Sequence, residues 1–159
     1  MEEDKPSFSS KHNEHRVEMV WTAKIESLFE EWKEDCRSKA KTHNRRAKTK
    51  KAYHYLLSVP TIVLPLTMST VNQFFTEWEN ELINSIGYLI TGSLSGINTF
   101  LNLPSQYQQH YDCEARYDEL AVEIESILIK PKKDRVQADV QLESVKNRYE
   151  YLNKTAIDF

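Results

Sequence analysis

Asn84, Thr91, Ser95, Asn98 and Asn102 recur at intervals of 7, 4, 3 and 4, which places all five on one face of one helix. Amides and hydroxyls in such a row do one of two things. They hydrogen-bond a neighbouring helix, at roughly 0.6 kcal/mol per bond in lipid, or they line a hydrated pore built from several subunits. Ile86, Ile90, Leu94, Ile97 and Leu101 mark the opposite side. A second row, Ser58, Thr61, Pro65, Ser69 and Asn72, follows a helical line one segment earlier. Gly92 and Gly96 stand four apart, a spacing at which helices pack closely.

Other reactive side chains are sparse. There is no nucleophile elbow, phosphate loop, zinc-protease helix or dinucleotide fingerprint. The three glycines, Gly87, Gly92 and Gly96, lie within ten residues of each other, so no glycine loop can cradle a phosphate elsewhere. Cys36 and Cys113 are far apart and form neither a disulfide framework nor a zinc site; free thiols are expected. His12 and His15 fall in a head that reads as disordered and make no metal site. His54 and His110 read as interfacial anchors, with pH sensing as the second reading. The expectation is a protein that is not an enzyme and needs no cofactor or metal.

The elements that position these residues are set by charge. Residues 52–76 and 82–111 contain no Asp, Glu, Lys or Arg. The chain's 24 acidic and 21 basic side chains are all elsewhere. A surface helix ordinarily keeps a charged face. The economical reading is a transmembrane hairpin with spans of about 54–75 and 82–103. Pro60 and Pro65 would kink the first span. Between the spans lie Glu77, Trp78, Glu79 and Glu81, an acidic, Trp-bearing loop over 76–81 that suits the outer or lumenal side. Just before the first span, residues 37–51 carry eight basic side chains and no acid. Of these, Arg45, Arg46, Lys48, Lys50 and Lys51 are the candidates for anionic-lipid contact, which holds that end on the cytosolic side.

The rest of the chain reads as helix. Residues 1–15 are polar, have no signal-peptide core and look disordered. Over 16–52, Val17, Trp21, Ile25, Leu28, Trp32 and Cys36 recur with the helical period. After the hairpin of 53–104, Pro104 and Ser105 mark a break. Residues 105–159 then form a helical hairpin: Tyr107 to Leu128 keep the helical period, Pro131 ends the helix, and Ala138, Leu142, Val145, Tyr149 and Leu152 make a coiled-coil-like seam. The basic 37–51 and the acidic 112–125 should run side by side as an antiparallel stalk. Asn153-Lys154-Thr155 is a glycosylation sequon that a cytosolic C-terminus would leave silent.

The fold class expected is thus all-α: a two-helix transmembrane hairpin with long cytosolic helices on both sides and both termini cytosolic. Trp21 and Trp32, followed by a basic stretch, a hairpin, and then Tyr107, His110, Tyr117, Leu120, Ile124 and Ile127, resemble the SLATT group. These are two-transmembrane effector domains of bacterial conflict systems and some large DNA viruses. The resemblance covers roughly 17–157 and implies a pore-forming or membrane-perturbing module. No sensor domain is attached, which implies a stand-alone, viral protein. The partners expected are a lipid bilayer and further copies of the chain, with no nucleic acid. The first alternative is a non-conducting structural or scaffold membrane protein of a virion or organelle. The second is a soluble helical adaptor, in which protein rather than lipid covers the uncharged segments. Each span holds eight polar residues in 22, which makes insertion marginal, but the basic inner edge, the acidic Trp-bearing turn and the glycine spacing favour the membrane reading.

Overall fold

A computed structural model describes residues 20–71, 74 and 76–156. The described residues fold into four α-helices with no strand. The first, α1 (Ala23–Val71), has 49 residues and is about 73 Å long at 1.5 Å per residue. Its length follows from a stretch without Gly or Pro up to Val59. At its start the Thr22 hydroxyl accepts the backbone N–H of Ile25 at 3.3 Å, an N-cap. The helix runs on through Pro60 and Pro65. Thr61 and Thr67 turn their hydroxyls back onto the carbonyls of Ser58 and Leu64, which shields backbone acceptors around the prolines.

Two helices in line run antiparallel to α1. The first, α2 (Glu77–Leu101), starts where the Thr76 N–H and hydroxyl both reach the Glu79 carboxylate, as in a capping box. It ends at Asn102, the one non-glycine with positive φ among the described residues, at φ 45° and ψ 43°. Asn tolerates this left-handed region better than other side chains. The next helix, α3 (Leu103–Ile129), starts at once, with Pro104 in its first turn, where a missing N–H costs nothing. Asn102 is therefore a one-residue joint. Above it α2 packs on the second half of α1; below it α3 packs on the first half.

After a short 3₁₀ turn at Lys132–Asp134, α4 (Ala138–Thr155) returns and completes a three-helix head. The core of the head contains Phe29, Cys36, Tyr117, Leu120, Ile124 and Val145, all nearly or fully buried. The α4 seam read from the sequence is the side that packs: Ala138, Val145 and Leu152 are buried, and Leu142 and Tyr149 lean on them. Phe29, one position past the expected Leu28, is the residue of α1 that closes the core. Arg135 fastens the turn between α3 and α4 to the start of α1. It donates to Lys130 O and Leu128 O, pairs with Glu26 at 2.6 Å, and stacks 5.0 Å over the Trp21 ring.

The all-α class holds, but the transmembrane hairpin does not. Among the described residues no helix is long and apolar enough to cross a membrane. Length is not the obstacle, since 25 residues of α2 span about 37 Å. Composition is: the amides, hydroxyls and histidine of 54–75 and 82–103 offset the leucines and isoleucines on an insertion scale. The integral-membrane localisation, the cytosolic placement of both termini and the outer placement of 76–81 fall with it. So does the pore-forming reading that the SLATT resemblance implied. Residues 1–15, with His12 and His15, lie outside the described residues, as does Asn72.

Candidate assembly surface and its polar spine

The hairpin of α1 and α2 buries polar groups in its seam and leaves many apolar ones outside. On α2 the half-buried or buried positions are Glu79, Asn80, Ile83, Asn84, Gly87, Thr91, Leu94 and Asn98. On the same stretch of α1, His54, Leu57, Ser58, Pro60, Thr61, Leu64, Pro65 and Met68 are half-buried. The seam mixes polar groups with Leu, Ile, Met and Pro. Three of the polar groups close a triangle. His54 Nδ1 lies 3.0 Å from Asn98 Oδ1, Asn98 Nδ2 donates to Ser58 Oγ at 3.0 Å, and Ser58 Oγ is 3.3 Å from His54 Nδ1. An amide oxygen only accepts, so His54 carries its hydrogen on Nδ1. Further along, the flexible end of the Met68 thioether occupies the space where a Cβ on Gly87 would stand.

The outer face is largely apolar, interrupted by exposed hydroxyls such as Thr67, Ser85, Ser93 and Ser95. On α1 it carries Leu56, Val59, Ile62, Val63 and Leu66; on α2 it carries Leu82, Ile86, Leu89, Ile90, Ile97 and Phe100. Leu89 is 71 % exposed and Phe100 89 %, values at which burial in this chain contributes nothing for either residue. Gly92 and Gly96 open onto the same exterior, and a Cβ on either would meet no atom within 4 Å.

The five-residue stripe read from the sequence therefore divides. Asn84, Thr91 and Asn98 turn toward α1, Ser95 is exposed, and Asn102 is the joint to α3. The Thr91 hydroxyl is buried without a hydrogen-bond partner. Gly92 and Gly96 pack against nothing in their own chain.

A second polar network ties the head together. Lys39 Nζ bonds Asp35 at 2.6 Å and Asn153 Oδ1 at 2.8 Å, and Tyr149 OH donates to Asp35 at 2.6 Å. Tyr117 OH donates to the same Asn153 oxygen at 3.1 Å. Burial alone would raise Asp35, but the bonds from Lys39 and Tyr149 outweigh it and hold the carboxyl below its usual range. The same contacts outweigh the burial of Lys39 and raise its ammonium. Beside this network His43 and His110, both buried, bring their Nδ1 atoms to 3.0 Å, and the His43 ring stacks on Tyr117. His43 gives no sequence signal of its own, because it sits inside the basic run.

The expected stalk pairing is sparse. Arg37 reaches Glu125 at 3.0 Å, and Asn44 bonds Glu114. Among the described residues, Lys41, Arg45, Arg46 and Lys48 make no ion pair and are exposed, while Lys50 donates to Gln106 and Lys51 lies over Tyr55. No cluster of three His, Cys, Asp or Glu that could hold a metal occurs among the described residues. No family model, no curated protein and no solved structure matches this chain.

Proposed function

We propose that this chain is a non-catalytic helical adaptor that assembles with copies of itself through the outer face of the α1–α2 hairpin. The observation that carries this reading is how the hairpin distributes its side chains. His54, Ser58, Thr61, Asn84, Thr91 and Asn98 are turned into the internal seam beside Leu57, Leu64, Ile83 and Leu94, while a run of Leu, Ile, Val and Phe faces outward among exposed hydroxyls. Contiguous apolar patches beyond a few hundred Å² on a lone chain mark interaction sites. Each Leu, Ile or Phe covered contributes about 1.5–3 kcal/mol.

A second copy suits that face better than an unrelated partner. The surface has no charge over 52–76 or 82–111, so two identical faces meet without desolvating an ion. The open positions at Gly92 and Gly96 let two α2 helices approach closely. Two hairpins joined this way make a four-helix bundle with the self-complementary contact of a two-fold dimer. The three-helix heads are then left at the ends to engage other molecules.

Light scattering on an Ile86→Glu/Leu89→Glu variant tests the reading. It should be monomeric under conditions where the wild type is oligomeric. Val122→Glu, a charge placed on the exposed head, should leave the oligomer intact. Equal association of all three proteins would refute the reading.

A further inference from the structure

We infer that the neck of the molecule, where α1 passes α3, holds a site for a single-chain anionic amphiphile: a phosphate head with one acyl or alkyl tail. A groove of about 550 Å³ lies there, between the joint at Asn102 and the His43–His110 pair. That volume falls within the usual range for small-molecule sites, about 300–1,000 Å³. Arg45, Arg46 and Lys50 line it from α1, and Leu103 and Gln106 from α3, with Tyr53 at its upper end. No acid lines it.

Charge complementarity selects the head. Arg45 and Arg46 make no ion pair among the described residues, although an acidic stretch at 112–125 runs alongside their helix. The neighbouring groove, which holds Glu114 and Asp118, is lined by Arg37, Lys41 and Lys48 and shares Arg45 with the upper one. Lys50 is engaged with Gln106, so the head-binding charge of the upper groove is that of Arg45 and Arg46, with Arg46 on the side away from Glu114 and Asp118. A guanidinium presents paired N–H donors that match phosphate oxygens.

The tail is selected by what adjoins the cations. Leu103 is 6 % exposed and Tyr53 57 %, so an apolar floor leads onto an apolar rim. Beyond Tyr53 the outer face of α1 continues with Leu56 and Val59. A bare anion would leave the exposed Tyr53 ring in contact with water. A neutral amphiphile would leave the two arginines without an acceptor.

The head of the site lies below the hairpin's outer face, but its tail shares Leu56 and Val59 with the proposed self-contact. Calorimetric titration of the full chain with dodecyl phosphate, below its micelle concentration, tests the inference. The titration is repeated on Ile86→Glu/Leu89→Glu, where unchanged binding separates this inference from the self-assembly reading. Inorganic phosphate and dodecyl maltoside are the controls for head alone and tail alone. Dodecyl phosphate should bind at least about tenfold more tightly than either control. The exposed-site variant Arg45→Gln/Arg46→Gln should lose about tenfold or more of that affinity while keeping its helical circular dichroism. Tyr53→Ser should weaken dodecyl phosphate and leave the response to inorganic phosphate unchanged. Equal binding of inorganic phosphate, equal binding of dodecyl maltoside, or an unaffected arginine variant would each overturn the proposal.

Discussion

The Nδ1 atoms of His43 on α1 and His110 on α3 face each other at 3.0 Å in the interior of the head. One imidazole must donate and the other accept, so the contact cannot survive with both rings protonated. Burial first, then the positive charge of Lys50, His43 and Arg46, holds His110 below the ordinary imidazole range. Tyr117 from α3 stacks on His43, and Asn153 from α4 borders the same space.

The sign of the pH dependence follows. In the unfolded chain His110 takes up its proton near pH 6.5, whereas in the fold it does so only at lower pH. Stability is therefore full above about pH 6.5 and falls as the pH drops below it. Melting temperatures between pH 8 and pH 5.5 should be flat at first and then decline. His110→Asn should flatten the decline. A wild-type profile that stays level down to pH 5.5 would contradict this.

Cys36 and Cys113 should behave as two different thiols. Burial, and then the neighbouring Asp35 carboxylate, pushes Cys36 up to about 11, so almost no thiolate exists at neutral pH. Cys113 is only half-buried. Titration with a thiol reagent at pH 7.5 should show one reacting group in the folded protein and two after denaturation. Rapid modification of both in the fold would be inconsistent with the core described.

Thr91 and Asn98 lie two turns apart on the same inner face of α2, yet their replacement should have opposite outcomes. The buried Thr91 hydroxyl has no partner, so Thr91→Val removes an unsatisfied group at constant shape. It should be neutral or stabilising by about 1 kcal/mol. Asn98 is bonded to both His54 and Ser58. Asn98→Leu strands those two groups and should destabilise by roughly 2 kcal/mol. Urea unfolding of the two variants measures the difference; the reverse order would show that the triangle does not hold the hairpin.

The contrast marks what periodicity conveys and what it omits. Spacing alone places the helices, the break at Pro104 and the α4 seam, because apolar recurrence reports a buried stripe whichever element covers it. Spacing also groups Asn84, Thr91 and Asn98 on one face, and that face does turn inward. What it does not convey is the medium outside. A charge-free segment looks the same whether lipid, a partner helix or water meets it, and the eight polar residues in each segment were the signal against lipid. Phe29 and His43 stayed hidden for another reason. Phe29 lies one position off the expected seam, and His43 lies in a run of cations whose solvated side chains mask the inward one.

The hairpin's exposed apolar side chains make one demand that can be measured directly: protein must cover Leu89 and Phe100. Sedimentation of the full chain, purified without detergent and followed over a hundredfold dilution, reads this out. A dimer or larger oligomer that dissociates on dilution, and is abolished in Leu89→Glu/Phe100→Glu with helix content retained, is the expected result. A wild-type chain that sediments as a monomer at every concentration, or that stays in solution only with detergent, would contradict the account.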